Sequence, residues 1–352
     1  MTQQILGLDI GSYSFKVVEI LHPREGKPEL VAFGSVDTPL NVLQSEAEDD
    51  QEKVAKIIKM LLKEAKVRSR KVVTAFPEAK IFTRVIEFPP LKGQDLHNAL
   101  EWEVERFIPL PKDEVKTSWM VLEDGTVPGT QDGGKGKRMK ILLVAAPLTL
   151  VDRYITILGM AGLEPLAFES EIIGMARSLS PQGSDCPVTL IISLGASATD
   201  LCIVDQGIIQ FTRSIGTSGS DLAKVISREL GFEQDQAEEY KRAYGLLEDK
   251  LGGKVVSVIK PVFDIIVNEI EKAILSYQAQ KPMHPVKRVV LTGGTARLPG
   301  VVVYLAESLG VEVQIADPWI DVKVPPQFEE DVHRLENQTH FAVAVGLGLK
   351  RI

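Results

Sequence analysis

A short polar turn near the start of the chain has the residue types of a phosphate-binding hairpin. It lies between two apolar segments and contains a carboxylate, a glycine, two serines and a lysine: Asp9, Gly11, Ser12, Ser14 and Lys16. Because glycine has no Cβ, the backbone can approach an anion there, and the serines supply hydroxyl and amide donors. The carboxylate can hold a metal-bound water beside phosphates. Since many hairpins with Gly-Ser turns bind nothing, this segment alone does not establish a site.

The same pattern recurs in the second half of the chain. When the sequence is compared with itself, residues 9–16 align with residues 193–200, and apolar segments flank both turns. The residues of the second turn that could contact a phosphate are Gly195, Ala196, Ser197 and Asp200. The chain therefore has two similar halves. Two such hairpins facing each other across a cleft could clamp the phosphates of one nucleotide, with Lys16 or a metal ion balancing the charge.

A third glycine turn follows an apolar segment at residues 289–292. Gly293, Gly294 and Thr295 begin a loop there, and two consecutive glycines let the backbone approach a flat base or an α-phosphate. The alternative is an ordinary turn between a strand and a helix. Three such turns in this order are less expected by chance than one, so we interpret them as parts of one nucleotide site.

Helices must position the remaining polar groups. Gly219 lies in a polar turn before a predicted helix at residues 222–230, for which Ser220 or Asp221 is the expected N-cap. The N-terminus of this helix is an anion site if it points into the cleft, and a simple cap if it does not. Apolar spacings of three and four predict three more helices, at residues 52–67, 234–244 and 255–280.

Residues 78–163 form a predicted insertion with its own strands and helices. The pattern places strands at residues 81–88, 116–122 and 139–146, and helices at residues 94–107 and 149–160. A glycine-rich, flexible hairpin tip is predicted at residues 124–137. We expect Trp102, on the first of these helices, to be a core residue, with contact to a partner protein as the alternative.

The composition is typical of a soluble intracellular protein. The 352 residues are 44% hydrophobic and 25% charged, which is enough to build a core for two domains. Two cysteines and five scattered histidines predict neither a disulfide framework nor a zinc site. The net charge of -8, without a basic stripe, argues against nucleic acid or an anionic lipid surface as a partner. No apolar run is long enough for a membrane helix.

The three turns, in this order, resemble the phosphate-1, phosphate-2 and adenosine motifs of the actin-like ATPase superfamily. The matching segments are residues 5–20, 189–204 and 288–300, and residues 341–350 resemble the closing helix of that family. Further segments resemble one branch, the PilM family of type IV pilus assembly proteins: 76–90, 101–109, 142–147 and 161–165. The resemblance covers essentially the whole chain and places it in the FtsA/PilM branch.

This resemblance implies an α/β chain with the actin-like ATPase fold, in which two duplicated RNase H-like domains flank a nucleotide cleft. Domain 1A would comprise residues 1–77, 164–185 and 337–352, and domain 2A residues 186–230 and 285–336. The inserted 1C-type subdomain would be residues 78–163, which in this family makes protein contacts. A helical 2B subdomain would be residues 231–284.

The resemblance also implies ATP and Mg²⁺ as ligands. Glu238 and Lys241 match a Glu-x-x-Lys pair that contacts the nucleoside, and a solvated surface pair is the alternative. The family commonly has an aspartate where this chain has Ser193, so Asp9 and Asp200 remain as the expected metal ligands, and rapid hydrolysis is not expected. Glu169 and Glu171 are candidates for orienting water, although a carboxylate at a helix N-terminus is also favoured by the helix dipole alone. No catalytic base is assigned.

The expected function is therefore an ATP-binding scaffold at the cytoplasmic face of the inner membrane, held there by the N-terminal cytoplasmic peptide of PilN. Other pilus components are further candidate partners, and a homo-oligomer is possible. The sequence does not determine the rate of ATP turnover. One alternative is the cytoplasmic part of a GspL-type protein of type II secretion. A second is a small-metabolite kinase on the same fold. FtsA itself is disfavoured because the chain ends without a C-terminal amphipathic membrane helix.

Overall fold

The computed structural model describes residues 3–39, 42–43, 47–124, 138–180 and 186–352. Its strands are β1 (Gln3–Ile10), β2 (Ser14–His22), β3 (Glu29–Asp37), β4 (Lys71–Phe76), β5 (Phe82–Phe88), β6 (Val115–Glu123), β7 (Met139–Pro147), β8 (Glu164–Ser170), β9 (Thr189–Leu194), β10 (Thr199–Asp205), β11 (Ile208–Ile215), β12 (Arg288–Thr292) and β13 (Glu312–Ile315). Its α-helices are α1 (Glu48–Glu64), α2 (Gly93–Phe107), α3 (Leu148–Ala161), α4 (Glu171–Leu179), α5 (Gly219–Leu230), α6 (Gln234–Tyr244), α7 (Lys254–Gln280), α8 (Val301–Leu309), α9 (Glu329–Val332), α10 (Leu335–His340) and α11 (Ala342–Gly348).

Two sheets of five strands have the same topology, which confirms the predicted duplication. The first has the order β3-β2-β1-β4-β8, and the second the order β11-β10-β9-β12-β13. In the first sheet, β1 pairs antiparallel with β2 and parallel with β4. In the second sheet, β9 pairs antiparallel with β10 and parallel with β12. The two phosphate-type hairpins, β1-β2 and β9-β10, therefore lie at equivalent places in the two halves.

A third sheet, with the order β5-β7-β6, is formed by the predicted insertion. Helix α2 covers one face of it through Leu96, Leu100 and Val104. The other face contributes Leu142 to a core cluster that also contains residues of α4 and of the second sheet, such as Cys202. Most of the predicted hairpin tip, residues 125–137, lies outside the described residues.

A chain of buried polar contacts also ties the insertion to the second half. Lys140 on β7 donates to Gln210 on β11 at 2.5 Å, and Gln210 donates to Glu123 at 2.8 Å. Glu123 lies 3.6 Å from Lys281, which in turn lies 3.4 Å from Asp205. Lys140 and Gln210 are both buried. The insertion is thus covalently part of the first half and non-covalently anchored on the second.

Two segments pack differently from the boundaries that the sequence predicts. Helix α3 lies within the predicted insertion, but its Leu150 and Ile157 pack in the core of the first half, beside residues of α1. The resemblance places residues 285–336 in the second domain, whereas Trp319 and Val322 pack in a cluster with β2 and β3 of the first sheet. The chain therefore returns to the first half soon after β13, because this apolar stretch covers the outer face of the first sheet.

Local sequence signals predict most helices to within a few residues. Helix α6 has the predicted bounds, and α2, α3 and α7 begin one residue before them. Helix α1 begins four residues before the prediction, since three acidic residues precede its first apolar position and favour its N-terminus. The predicted N-cap of α5 is wrong: the cap is Ser218, whose backbone N–H and hydroxyl both donate to Asp221.

The prediction that Trp102 is a core residue is also wrong. The side chain is 75% exposed, because the buried positions of α2 are Leu96, Leu100 and Val104 on the opposite side of the helix. Of the helices that the structure describes, none combines the length and the apolar character that crossing a membrane requires.

Glycines set the spacing between the closing helix and its neighbours. A Cβ on Gly346 of α11 would lie 1.8 Å from the carbonyl oxygen of Gly174 on α4. A Cβ on Gly7 of β1 would lie 2.1 Å from the carbonyl oxygen of Ala344. Helix α11 thus contacts both β1 and α4 backbone to backbone, and this contact fixes α4, whose first residue Glu171 reaches the cleft.

Candidate functional site

A cleft of about 740 Å³ lies between the two halves. Fourteen of the fifteen residues that the sequence predicts for a nucleotide site line it: Asp9, Gly11, Ser12, Ser14, Lys16, Gly195, Ala196, Ser197, Asp200, Glu238, Lys241, Gly293, Gly294 and Thr295. The other, Gly219, lies behind the lining. These residues are up to 286 positions apart in the chain, so the fold brings together the three turns that the sequence singles out.

The first hairpin holds a buried ion pair. Asp9 on β1 lies directly opposite Lys16 on β2 in the strand register. The ammonium of Lys16 lies 3.1 Å from Oδ2 of Asp9 and donates to the carbonyl oxygen of Ser14 at 3.1 Å. A Cβ on Gly11 would lie 2.9 Å from that same carbonyl oxygen, which explains why the turn requires glycine. The lysine is thus fixed beside the turn that the sequence predicts to hold phosphate.

The second hairpin repeats this register with different charges. Ser193 on β9 lies opposite Asp200 on β10, so the carboxylate is on the second strand of the pair here and on the first strand in the other half. A Cβ on Gly195 would lie 2.7 Å from the carbonyl oxygen of Ala198. The hydroxyl of Ser12 donates to that of Ser197 at 3.1 Å. The tips of the two hairpins therefore meet across the cleft.

The third turn forms the wall beside the second hairpin. Gly293 has φ +87°, and a Cβ there would lie 2.6 Å from the carbonyl oxygen of Leu194, so only glycine fits. Its N–H donates to the carbonyl oxygen of Thr339 at 2.8 Å. A Cβ on Gly294 would lie 3.1 Å from Nε2 of His340. The consecutive glycines thus let this turn pack against β9 and α10.

The first two backbone N–H groups of α5 are bonded to carbonyl oxygens of the second turn. The N–H of Gly219 donates to the carbonyl oxygen of Gly195 at 2.9 Å, and that of Ser220 to the carbonyl oxygen of Ala196 at 3.2 Å. A Cβ on Gly219 would lie 2.0 Å from the hydroxyl oxygen of Thr295. Gly219 therefore joins the second and third turns, and the prediction that it contacts a ligand directly is not supported by its position.

Glu238 and Lys241 form an ordered pair on α6. Their charged groups are 2.6 Å apart, and the ammonium of Lys241 also donates to the carbonyl oxygen of Gly219 at 2.9 Å. Lys241 is buried, and burial lowers its pKa, while the hydrogen bond that its ammonium donates to Glu238 opposes that effect. The alternative of a solvated surface pair is wrong for Lys241, because its side chain belongs to the wall of the cleft.

Carboxyl groups from both halves converge at the floor of the cleft. Glu171 accepts from the backbone N–H of Glu78 at 3.3 Å. Burial raises the pKa of Glu78 to about 7 and that of Asp200 to about 6. The pKa of Glu171 is also raised, by burial and by the charges of Asp9 and Asp200. Within the described residues, no three His, Cys, Asp or Glu side chains are grouped closely enough to hold a metal ion alone.

Glu169, the other candidate for orienting water, has a structural role. Its carboxylate accepts from Arg177 at 2.8 Å and from Lys350 at 2.6 Å, and these two cations keep its pKa below the usual range although burial opposes them. It does not line the cleft. Glu171 does line the cleft, so only this carboxylate of the pair is placed near a bound ligand.

The raised pKa values make the ligand-free protein less stable at high pH. Glu78 binds its proton more tightly in the folded chain than in the unfolded chain, so its contribution to stability is present below about pH 4.5 and is lost as the pH rises through about 7. We expect Glu78→Gln to raise the free energy of unfolding by about 2 to 3 kcal/mol more at pH 8 than at pH 5, measured by urea denaturation.

Glu25→Gln is the matched control, because Glu25 is exposed and its charge is solvated in both states. It should change stability equally at the two pH values. An equal effect of Glu78→Gln at pH 5 and pH 8 would contradict the raised pKa.

Several residues of the cleft are absent from the sequence prediction: Tyr13, Glu78, Arg242, Arg297 and His340. His340 lies on α10, which the sequence did not predict, and Arg297 approaches its Nε2 at 3.4 Å. Burial, together with the charges of Lys16, Arg297 and Arg242, lowers the pKa of His340 to about 3, so the imidazole is neutral. Tyr13 lies inside the first turn, and its position between Ser12 and Ser14 is the one local signal that could have identified it.

The fold has counterparts in known proteins. A solved PilM-PilN type IV pilus biogenesis complex contains a chain that superposes with a TM-score of 0.82 and is 29% identical, covering 98% of this chain and 97% of that one. EutJ from Carboxydothermus hydrogenoformans has a TM-score of 0.55 at 16% identity, covering 99% of this chain and 89% of its own. The latter likeness shows the fold alone, which is the actin-like ATPase fold.

Sequence comparison also finds relatives in the FtsA/PilM branch of the actin-like ATPase superfamily. The cell division protein FtsA of Streptococcus pneumoniae serotype 2 (strain D39) is 24% identical over 353 positions, which span 89% of this chain and 75% of that protein. The family model described as type IV pilus assembly protein PilM matches residues 7–352. The chain therefore belongs to the PilM family of type IV pilus assembly proteins.

Proposed function

We propose that this protein is an ATP-binding scaffold of the type IV pilus inner-membrane assembly platform, which hydrolyses ATP slowly or not at all. The observation that carries the proposal is the meeting of two equivalent glycine hairpins across one cleft, with Ser12 and Ser197 in contact at their tips. Each hairpin brings one carboxylate to the cleft, Asp9 from the first half and Asp200 from the second. Such a two-sided arrangement suits a chain of phosphates and a cation between the halves.

The residues fit a Mg²⁺ ion held with ATP. Oδ1 of Asp200 is buried and has no hydrogen-bond partner within the described residues, which is unusual for a carboxylate oxygen that no ligand is to occupy. Mg²⁺ commonly keeps several waters and uses one or two carboxylates together with phosphates, so Asp9 and Asp200 suffice. When bound, the ion would neutralise charge on the phosphate oxygens.

The other cleft residues divide by position. We assign the phosphates to the two hairpin turns and Lys16: Gly11, Ser12, Ser14, Gly195, Ala196 and Ser197. Glu238 and Lys241 face the cleft from α6 and would bind ribose hydroxyls. Gly293, Gly294 and Thr295 would lie against the base. Gly219 acts indirectly, by holding the third turn against the second.

Slow turnover follows from the charges of the second hairpin. Ser193 supplies no carboxylate at the end of β9, and the acid comes instead from Asp200 across the strand pair. Asp200 has a pKa raised to about 6 by burial, so it gives up its proton less readily than an exposed aspartate. This arrangement can hold a cation and a nucleotide. It places one carboxylate fewer near an attacking water than the common pattern of the family, which has an aspartate at the position of Ser193.

The partner in this proposal is the N-terminal cytoplasmic peptide of PilN, which would hold the protein at the cytoplasmic face of the inner membrane. Support comes from the PilM-PilN complex, whose PilM-like chain is 29% identical to this one. We place the peptide in the groove between the insertion and the first half. The cleft extends toward this groove, since its lining includes Pro77 and, on α3, Leu150 and Ile157. Other pilus components and a second copy of this chain are further candidate partners.

Because the lining of the cleft reaches α3, beside the proposed peptide groove, we expect nucleotide and peptide to affect each other, and this effect is reciprocal. Calorimetry with a peptide of the PilN N-terminus is expected to show an affinity about 10-fold higher with Mg²⁺ and a non-hydrolysable ATP analogue than without them. Lys241→Met should remove the nucleotide effect and leave the peptide affinity of the ligand-free protein unchanged.

A scrambled peptide of the same composition is the control for non-specific binding. Equal peptide affinity with and without nucleotide would contradict the coupling. Absence of peptide binding under both conditions would contradict the scaffold assignment itself.

A further inference from the structure

Two side chains join the halves of the protein at the mouth of the cleft. Tyr13 is at the tip of the first hairpin, and Arg242 is on α6, 229 positions later in the chain. Nη2 of Arg242 donates to the hydroxyl of Tyr13 at 2.7 Å, and the guanidinium carbon lies 5.5 Å from the centre of the tyrosine ring. Both residues line the cleft, and neither is needed for the phosphate, ribose and base contacts assigned above.

Arg242 is oriented by a chain of hydrogen bonds that runs back into the wall of the cleft. Its Nε donates to Oε1 of Glu238 at 3.1 Å. The other carboxylate oxygen of Glu238 lies 2.6 Å from the ammonium of Lys241, which is buried and bonded to a backbone carbonyl of α5. Although the arginine side chain is half exposed, its guanidinium is therefore held from one side by the second half and from the other by Tyr13.

Tyr13 is also held in place, by the contact that its neighbour Ser12 makes and by the packing of its ring. The neighbouring residue Ser12 makes another contact across the cleft, with Ser197 at 3.1 Å. The ring of Tyr13 also lies 6.3 Å from that of His340, tilted by 49°. The tyrosine hydroxyl thus reaches across the cleft from a hairpin tip that is already in contact with the opposite hairpin.

From this geometry we propose that Tyr13 and Arg242 form a gate across the mouth of the cleft, which must open before a bound nucleotide can leave. The contact between them then sets the residence time of the nucleotide. This inference rests on the proposed nucleotide binding and adds two residues and a kinetic role to it. An arginine bonded to a phenolic hydroxyl at 2.7 Å is a charge-assisted hydrogen bond, which is stronger than a neutral one.

Ribose binding is compatible with a closed gate. A carboxylate has about four acceptor positions, and Arg242 and Lys241 use one on each oxygen of Glu238. The remaining positions can accept ribose hydroxyls while the arginine stays bonded. Nucleotide and gate would therefore share the same carboxylate, and a ribose that orders Glu238 would also order Arg242.

The dissociation rate of a fluorescent N-methylanthraniloyl ATP analogue, chased with excess ATP in a stopped-flow instrument, tests the gate. Tyr13→Phe removes only the hydroxyl, and Arg242→Met removes the guanidinium while keeping the length of the side chain. Each is expected to raise the dissociation rate about 10-fold, near the lower end of the range for loss of a hydrogen bond to a charged group, because the pair is partly exposed to solvent. The double variant should be no faster than the faster single variant, because both changes break the same contact.

Arg228→Met is the matched control, since Arg228 is an exposed arginine paired with Glu229 on α5 and does not line the cleft. It should leave the rate unchanged. Rates equal to wild type for Tyr13→Phe and Arg242→Met, or independent effects that multiply in the double variant, would overturn the gate.

Hydrogen exchange of the nucleotide-free protein provides a readout that does not depend on nucleotide binding. Faster exchange in both single variants, at the amides of residues 11–14 and 238–245, would support the contact, and unchanged exchange would overturn it. If wild-type protein does not bind the analogue at all, the proposed nucleotide function fails, while the exchange result still decides whether the gate contact exists.

Discussion

Gly346→Ala is expected to lower the free energy of unfolding by about 4 kcal/mol or more, which exceeds the usual 1 to 3 kcal/mol for overpacking. The added Cβ would lie 1.8 Å from the carbonyl oxygen of Gly174, so α11 and α4 would have to move apart. No side-chain rotation can relieve this clash, because the three atoms nearest to the added Cβ are all backbone atoms of Gly174. The shift should appear as a lower midpoint in urea denaturation and in thermal melting.

Gly159→Ala is the matched control, because it makes the same change within a helix. A Cβ on Gly159 of α3 meets nothing within 4 Å, so alanine there should stabilise the protein by up to about 1 kcal/mol through helix propensity. A Gly346→Ala protein as stable as wild type would show that the close approach of α4 and α11 is not required.

Asp200→Asn is expected to weaken Mg²⁺-dependent ATP binding about 100-fold, which corresponds to about 2.7 kcal/mol. Asparagine keeps the size of the side chain but removes the negative charge that the second half supplies at the cleft. The same change should stabilise the ligand-free protein above pH 6, because Asp200 is a buried acid with a raised pKa. Opposite effects on binding and on stability would exclude misfolding as the cause of weak binding.

Calorimetric titration with ATP in the presence of Mg²⁺ and of EDTA measures this effect, and the loss should be confined to the Mg²⁺ condition. Asp235→Asn is the control, since Asp235 also lines the cleft but is carried by α6. It should bind within a factor of about 3 of wild type, less than 1 kcal/mol. Unchanged Mg²⁺-dependent binding by Asp200→Asn would contradict its assignment as a metal ligand.

The sequence predicts the parts of the site that are encoded locally. Gly11 and Gly195 mark turns in which a Cβ would meet a carbonyl oxygen three residues away, and flanking apolar strands show where each hairpin begins and ends. Glu238 and Lys241 are three positions apart on a predicted helix, so the sequence also predicts that they share one face of it. These features depend on short sequence separations, so the similarity of the two halves of the sequence predicts them.

The parts that were missed depend on contacts between distant segments. Glu78 is buried beside residues that are distant in the chain, such as Glu171 and Asp200, so its raised pKa could not be derived from its neighbours in the sequence. The pairing of Tyr13 with Arg242 joins a hairpin tip to a helix of the other half. Trp102 is different, since the spacing of Leu96, Leu100 and Val104 already places it on the outer side of α2.

The polar chain from Lys140 through Gln210 to Glu123 limits how the insertion can be exchanged between relatives. A graft of residues 78–163 into another member of the superfamily would leave the buried ammonium of Lys140 with Glu87, at 3.4 Å, but without the acceptor from the second half, unless the recipient had a glutamine at the position of Gln210. The same graft would expose the apolar face around Leu142 to water. An exchangeable unit therefore consists of the insertion together with the outward face of β11, and chimaeras designed from sequence boundaries alone should fold poorly.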